Sequence, residues 1–388
     1  MGGGRRTSSP ALAPASPLED DDLLSEFLLR LPPVPSSLPR ASLVCKRWHN
    51  LISDEGFHRC FRDRHCNHPP LLGFFAQLEN SISFTPIMEP PDRIPSDFFS
   101  FLLDNPGECR ILCCRHGLVL LLLPTRLLVW DPSSGDASLI SVPRGFDTRA
   151  RAKVFNGAML RAARDGGDKH SSHFQVVVVS TDEKSTRAFA CVFSSETGEW
   201  SNPVSAACPS MTPPTSTPGT LVRRSLHWAL DGVSHGILEY DLDKQFLKVI
   251  DVTLFLSNVL HYRIWAMPVE GGVLGYLFYS INHKIELWKW SADRDGGAGW
   301  VLERSFELDE FLPRSSHEGS HIEIVGIVED SNVFYLQTKT GVYMVHMESM
   351  QCKKVSEITE IKACHSFTSV YTTGLGAVDG ENGDEPLC

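Results

Sequence analysis

The stretch LEDDDLLSEFLLRLPPVPSSLPRASLVCKRWHNLISDEGF, residues 18–57, decides how the rest of this chain is interpreted. In its first half, apolar residues recur with the spacing of one helical face: Leu23, Leu24, Phe27, Leu28 and Leu31. Acidic residues at 19–22 suit the positive end of that helix, and Pro32, Pro33 and Pro35 end it. The sequence therefore predicts a helix that stops before the prolines.

A second helix is predicted to begin near Ser36, because serine caps helices and proline is tolerated in the first turn. It carries apolar residues on one broad side: Leu38, Ala41, Val44, Cys45, Trp48, Leu51 and Ile52. About 40 residues cannot enclose a core of their own, yet this hairpin has apolar surface to spare for a partner. The surplus predicts a protein-binding module; the alternative is an ordinary helix-turn-helix within a larger helical core.

The hairpin resembles the F-box, the adaptor-binding module of SCF-type ubiquitin ligases. The residues that carry the resemblance are Leu23, Glu26, Phe27, Leu28, Arg30, Leu31, Pro32, Leu38, Arg40, Val44, Cys45, Lys46, Trp48, Leu51, Ile52 and Phe57. The family opens with Leu-Pro, where this chain has Glu19 and Asp20, so the first adaptor contact departs from the family pattern. The resemblance implies that one set of side chains binds a Skp-type adaptor or shapes the surface that does: Leu24, Phe27, Leu28, Leu31, Pro32, Leu38, Val44, Cys45 and Trp48.

Composition limits the classes of protein to consider. The chain has 388 residues, 42% of them hydrophobic and 21% charged, which is typical of a globular protein with more than one domain. Its formal net charge of -11 argues against binding to nucleic acid or to an anionic membrane. The longest apolar run, 117–130, is too short for a membrane span and is interrupted by Pro124 and Arg126. We expect a soluble protein of the cytoplasm, the nucleus or both.

The 11 cysteines are scattered, and several lie in apolar runs, where reduced cysteine acts as a small hydrophobe. One group at 58–68 could suggest zinc: His58, Cys60, His65, Cys66 and His68. Its spacings match no two-pair zinc pattern, and arginines are interleaved. The sequence favours a basic helical connector here, with no metal and no cofactor.

Beyond residue 70 the apolar period changes from 3.6 to 2, and short β-rich runs alternate with turn signals. A strand, a small or acidic turn and a second strand recur in VWDPSSGD, VFSSETGEW, LEYDLDKQF and LWKWSADRDGGAGW, and more weakly in YMVHMESMQC. The copies lie about 50 to 60 residues apart, a period typical of stacked β-blades. We predict an all-β propeller-like domain of about six blades, since neighbouring blades cover each other's apolar faces. A large β-sandwich is the alternative.

The β region resembles the F-box-associated β-propeller domains of plant F-box proteins. The carriers are CRHGLVLLL (114–122), VWDPSSG (129–135), VFSSETGEW (192–200), LHWALDG (226–232) and ILEYDLD (237–243). The predicted organisation is a disordered leader (1–17), an all-α F-box module with its connector (18–68), the propeller-like domain (69–376) and an acidic disordered tail (377–388). Two stretches, 205–220 and 293–300, are predicted to be surface loops.

Motifs for bond chemistry are missing from the sequence: it has no Gly-x-Ser-x-Gly, no P-loop and no His-Glu-x-x-His. Asp165, Asp168, His170 and His173 are interpreted as a solvated loop rather than an acid/base or metal site. The two resemblances imply a non-catalytic receptor subunit of an SCF-type ubiquitin ligase. It would join a Skp-type adaptor, and through it the cullin and RING subunits, to an unidentified protein target. The alternatives are an F-box scaffold or regulator outside a ligase, or a propeller lectin or enzyme.

Overall fold

The computed structural model describes residues 20–99, 109–146, 155–161, 173–182, 186–208, 211–212, 217–232, 236–252, 264–280, 284–292, 298–313, 322–329 and 331–370. The chain forms two compact units. A helical unit comprises Met1–Pro70, Pro90–Asp92 and Val370–Cys388, and a β unit comprises Leu71–Glu89 and Arg93–Ser369. The predicted leader and tail lie outside the described residues, and the predicted domain limits stay a prediction.

The described part of the helical unit contains four helices: α1 (Asp21–Leu28), α2 (Ser37–Ser42), α3 (Lys46–Ile52) and α4 (Glu55–His65). Aspartates begin two of them. The Asp20 carboxylate accepts from the amides of Asp22 and Leu23 before α1, and the Asp54 carboxylate accepts from the amide of Phe57 in α4. Such bonds satisfy amides that the first helical turn leaves without partners.

The described part of the β unit contains strands β1 (Leu71–Gln77), β2 (Ile82–Pro86), β3 (Arg110–Arg115), β4 (Leu118–Leu122), β5 (Arg126–Trp130), β6 (Ala137–Ser141), β7 (Phe155–Arg161), β8 (Phe174–Thr181), β9 (Arg187–Ser194), β10 (Glu199–Trp200), β11 (Val204–Ala207), β12 (Met211–Thr212), β13 (Thr220–Val222), β14 (Ser225–Gly232), β15 (Gly236–Asp241), β16 (Phe246–Asp251), β17 (Trp265–Val269), β18 (Val273–Tyr279), β19 (Lys284–Ala292), β20 (Ala298–Glu307), β21 (Glu323–Val328), β22 (Val333–Thr338), β23 (Gly341–His346), β24 (Cys352–Ser356) and β25 (Ala363–Thr368). A short 3-10 turn, Leu308–Glu310, follows β20.

These strands pair into six antiparallel sheets in the part of the chain that the structure describes. Blade 1 is β3–β6, blade 2 is β7–β11, blade 3 is β12–β16, blade 4 is β17–β20 and blade 5 is β21–β24. Blade 6 combines both ends of the β unit in the order β2-β1-β25. The predicted architecture, a helical module followed by a six-bladed propeller, is confirmed.

The recurring turn signal corresponds to one hairpin geometry. In blades 1, 2 and 5 the amide of Gly135, Gly198 or Met350 donates to the carbonyl four residues earlier. These residues have φ values of 81°, 72° and 55°, in the left-handed region that glycine adopts most easily. The turn of the fourth predicted copy falls on residues 293–297, outside the described part. In these three blades, the period read from the sequence is therefore the repeat of this turn.

The core of the β unit lies in the seams, meaning the interfaces between neighbouring blades. Trp228 of blade 3 shares a core cluster with Val177 of blade 2, and Trp265 of blade 4 shares one with Ile324 of blade 5. At the seam between blades 6 and 1, the ring centroids of Phe75 and Trp130 lie 5.9 Å apart. Packing between blades thus accounts for tryptophans that the sequence placed at strand ends.

Each seam also has a hydrogen bond between a side chain of one blade and the backbone of the next. In four seams the side chain donates to a backbone carbonyl: Arg110 to Phe155, Asn156 to Thr217, Thr220 to Ala266 and Trp265 to Ile324. In the other two the side chain accepts from a backbone amide: Gln337 from Ile361 and Gln77 from Ile111. Backbone groups at the blade junctions are therefore satisfied by side chains rather than by a continuous sheet.

The prediction of a surface loop over 205–220 is wrong in part. The segment contains most of β11, which pairs with β9, as well as β12 and the start of β13, which pair with β14. Short strands at a sheet edge need few apolar residues, so Ser, Thr and Pro hid them. The other predicted loop, 293–300, already enters β20 at Ala298.

Candidate functional site

Helix α1 has two apolar stripes, one buried and one exposed to solvent. Leu24 and Leu28 are fully buried, whereas Leu23 and Phe27 are 55% and 48% exposed. The two stripes are each spaced by four residues and lie side by side on the helix. One stripe therefore contributes to the core of the helical unit, and the other lies at its surface.

The corner between α2 and α3 is the most exposed apolar feature of the described helical unit. Leu38 and Ala41 of α2 face the core, but Leu43 and Val44 after it are 85% and 61% exposed. Two contacts place this side of α3 beside the exposed edge of α1. Arg47 Nε donates to the Asp21 carboxylate at 2.8 Å, and the rings of Phe27 and Trp48 lie 6.2 Å apart. We call Leu23, Phe27, Leu43 and Val44 the exposed apolar set.

The predicted adaptor-binding residues divide into three groups. The buried members are Leu24, Leu28 and Leu38. The half-buried members are Leu31 and Trp48. The exposed members are Phe27, Pro32, Val44 and Cys45. The buried members can shape a docking surface but cannot touch a partner, and the binding role of all nine stays a prediction.

Sequence reasoning left Leu23 and Leu43 out of the predicted set, although both are exposed. Leu23 shares its four-residue spacing with Phe27, so a second stripe was visible in the sequence. Leu43 gave no such signal, because its exposure depends on α2 ending at Ser42 and α3 beginning at Lys46. At Asp20, where the family pattern expects a different residue, the side chain caps α1.

Helix α4 is joined to the end of α1 by polar contacts. The Glu26 carboxylate pairs with Arg30 at 2.9 Å and with Arg64 at 3.2 Å. His65 Nε2 lies 3.0 Å from the Leu29 carbonyl oxygen. Residues 58–68 thus form a basic helix, α4, and its C-terminal turn. Within the described residues, no three His, Cys, Asp or Glu side chains are grouped to hold a metal ion.

The core of the helical unit includes a residue from the far end of the chain. Leu24, Leu28, Leu38, Ile52, Phe57 and Phe61 pack with Val370, which is 7% exposed. A second remote residue, Asp92, accepts a hydrogen bond from the Ser36 amide at 2.9 Å. The helical unit is thus built from three separate parts of the sequence.

In the β unit an ion pair joins blades that are not neighbours. Arg115 of blade 1 pairs through two nitrogens with Glu329, which follows the last strand residue of β21 in blade 5. Arg115 also donates to the carbonyl oxygens of Met159 in blade 2 and of Gly219 just before β13 of blade 3, at 3.3 and 3.0 Å. Because blade 6 separates blades 1 and 5, this pair joins two blades that share no seam.

Buried thiols in the β unit are poor nucleophiles. Burial raises the pKa of Cys113, Cys191 and Cys208 to about 11. A thiol with so high a pKa carries almost no thiolate at neutral pH. The predicted loop acids Asp165 and Asp168, with His170, lie outside the described residues. No helix among the described residues is long and apolar enough to cross a membrane.

Two family models match the chain. One, described as "F-box domain", matches residues 20–60. The other, described as "F-box protein AT5G49610-like, beta-propeller", matches residues 110–371, more than half of the chain. The first match covers α1–α3 and the start of α4, and the second runs from β3 to just past β25.

Similar proteins include "F-box protein At5g03970" from Arabidopsis thaliana, which is 23% identical; the match covers 72% of this chain and 72% of that protein. Among solved structures, the Dos1 propeller has a TM-score of 0.39 at 10% identity, covering 77% of this chain and 75% of that one. The SapL1 lectin in complex with alpha methyl fucoside has a TM-score of 0.40 at 13% identity, covering 78% and 92%. At TM-scores this low, neither structure bears on what the chain binds.

Proposed function

Because this chain belongs to the F-box proteins that carry an AT5G49610-like β-propeller, we propose that it is the substrate-recognition subunit of an SCF-type ubiquitin ligase. The helical unit docks on a Skp-type adaptor, which connects it to the cullin and RING subunits. The propeller holds a target protein. The subunit performs no bond chemistry itself, and it acts in the cytoplasm, the nucleus or both.

The observation that carries this proposal is the exposed apolar set of the helical unit. Leu23, Phe27, Leu43 and Val44 are large apolar side chains in water, on a unit whose own core is already filled by other residues. Fully burying such a side chain contributes about 1.5–3 kcal/mol. A few such side chains, buried in an apolar groove of the partner, are therefore enough to support specific binding.

The proposed mechanism is proximity. A target held by the propeller and a ubiquitin-loaded enzyme held through the adaptor react as if within one molecule, at a high effective concentration. Target recognition is assigned to propeller loops, because rim loops on a rigid ring vary without disturbing the seams.

The test is adaptor binding by a surface variant. We expect Leu43→Glu combined with Val44→Glu to weaken binding to a Skp-type adaptor about a hundredfold. Burying these two side chains against the adaptor would contribute about 3 kcal/mol, which the double variant loses. Leu139→Glu is the matched control, because Leu139 in β6 of the propeller is also exposed. Wild-type affinity in the double variant would refute the docking surface. Leu31→Ala with Pro32→Ala, next to α1, is expected to reduce adaptor pull-down with the propeller still folded.

A second measurement separates a ligase subunit from a scaffold. Affinity purification with the ligase inhibited is expected to recover the cullin and RING subunits with the adaptor, and ubiquitin-site mapping identifies the target. Adaptor recovered without cullin, or with no target turnover, would favour the scaffold or regulator.

A further inference from the structure

The four helices do not complete the core of the helical unit by themselves. Leu24, Leu28, Ile52, Phe57 and Phe61 enclose a space that Val370 also fills. Val370 lies two residues after the end of β25, the last strand of the β unit. A module of about 50 residues is too small to bury a sufficient core without help, and Val370 supplies part of it.

Asp92, which is remote from α2 in sequence, makes a hydrogen bond at the start of that helix. Ser36, the residue before α2, makes no capping bond with its own side chain. Its amide instead donates to the Asp92 carboxylate at 2.9 Å. In a capping box, a glutamate inside the helix gives this bond; here a residue 56 positions away does so. Helix α2 leads directly into the exposed Leu43 and Val44, so its start affects the docking corner.

We propose that adaptor docking depends on Val370 and Asp92 as positioning residues, so that the helical unit is competent only when the chain that follows the last propeller strand is in place. This inference rests on the proposed function. Neither residue is expected to touch the adaptor, since Val370 is buried in the core and Asp92 faces the start of α2. A chain that ends before Val370 would carry every residue of the F-box match and still dock weakly.

The first experiment measures the helical unit directly, by amide hydrogen exchange on the full-length protein. Val370→Ala removes two buried methyl groups, which should speed the exchange of amides in α1 and α4 by roughly tenfold. Val370→Ile keeps the branched shape and is expected to retain wild-type exchange. Val177→Ala is the matched control, because Val177 is also buried but lies in β8 of the propeller.

The second experiment measures affinity for a Skp-type adaptor by calorimetry. Val370→Asp, which places a carboxylate in the core, is expected to weaken binding at least tenfold. Asp92→Ala is expected to weaken it about threefold, with Asp97→Ala in the same segment as its control. Val370→Ile and Val177→Ala should both keep the wild-type affinity for the adaptor.

The outcomes separate this inference from the function on which it rests. If wild-type protein fails to bind any Skp-type adaptor, the proposed function fails, while the exchange data still decide whether Val370 supports the helical unit. If wild-type protein binds and Val370→Asp binds equally well, the inference is wrong and the proposed function stands. Unchanged exchange in Val370→Ala would also overturn it.

Discussion

Replacing Arg115 with methionine should destabilise the propeller far more than removing an exposed charge. The Arg115 side chain is 9% exposed and that of Glu329 is 25% exposed, so their ion pair is largely shielded from water. Breaking a buried pair by removing one partner typically costs 3–5 kcal/mol. Water reaches part of Glu329, so the lower end of that range applies, and we expect a loss of about 3 kcal/mol.

The coupling between the two side chains gives a sharper test. Glu329→Met alone should cost about 2 kcal/mol, because it leaves Arg115 with its two carbonyl partners, Met159 and Gly219. Once Arg115 is gone, Glu329 is a partly buried carboxylate without its cation. The hydrogen bond that it accepts from the Leu221 amide offsets that cost, so removing Glu329 as well should cost little more. The double variant is therefore expected to lose about 3 kcal/mol, rather than the sum of about 5, which corresponds to a coupling energy of about 2 kcal/mol.

The assay is urea unfolding of the full-length chain, followed by the fluorescence of its tryptophans, several of which are buried in the seams. Arg224→Met is the matched control, since Arg224 pairs with Asp243 and both side chains are more than half exposed. That control should cost much less than Arg115→Met, because an ion pair exposed to water contributes little to stability. The reasoning is refuted if Arg115→Met costs no more than Arg224→Met, or if the two single losses add in the double variant.

Three further predictions concern single side chains. Met350→Gly should raise the free energy of unfolding by about 0.5–1 kcal/mol, and Gly198→Ala should lower it by about 1 kcal/mol, because both positions have left-handed backbones. Denaturant titrations measure both changes, and changes of the same sign would contradict the turn geometry. The His227 imidazole and then the Lys248 ammonium lower the pKa of Glu239 to about 2. Its stabilisation, up to about 3 kcal/mol, is therefore present above its ordinary pKa near 4.5 and lost as the pH falls toward 2; the stability gap between wild type and Glu239→Gln should shrink over that range. Asp20→Ala removes the cap of α1 and should cost about 1 kcal/mol, visible as faster amide exchange in α1 alone.

The sequence predicted α1 and the surplus of apolar residues, because helical spacing is a local property. The single second helix that it predicted is instead two helices, α2 and α3, separated at residues 43–45. It could not divide the surplus between core and surface. The stripe with Leu24 and the stripe with Phe27 have the same spacing, and only the packing of the other helices and Val370 against α1 decides which one faces inward. The predicted site therefore mixed buried and exposed residues.

The contributions of Asp92 and Val370 were beyond sequence reasoning for a different reason. No local pattern relates a residue to a helix that lies tens or hundreds of positions away. The approximate blade count was predictable, because a local turn signal recurs in several blades. The strands within 205–220 were missed, since edge strands as short as β12 are held by pairing with β14 rather than by their own composition.

Blade 6 can be completed only after β25 has been synthesised, because its strands come from both ends of the β unit. It pairs β25 with β1, so that Leu71 lies opposite Thr368. A ribosome that adds roughly 5–20 residues per second completes β25 some tens of seconds after β1 has emerged. During that interval β1 has an unpaired edge, and Phe74 and Phe75, which are buried in the finished sheet, have no partner from β25. Contacts of such long sequence separation form slowly. A newly made chain is therefore most prone to aggregate just before its last strand arrives.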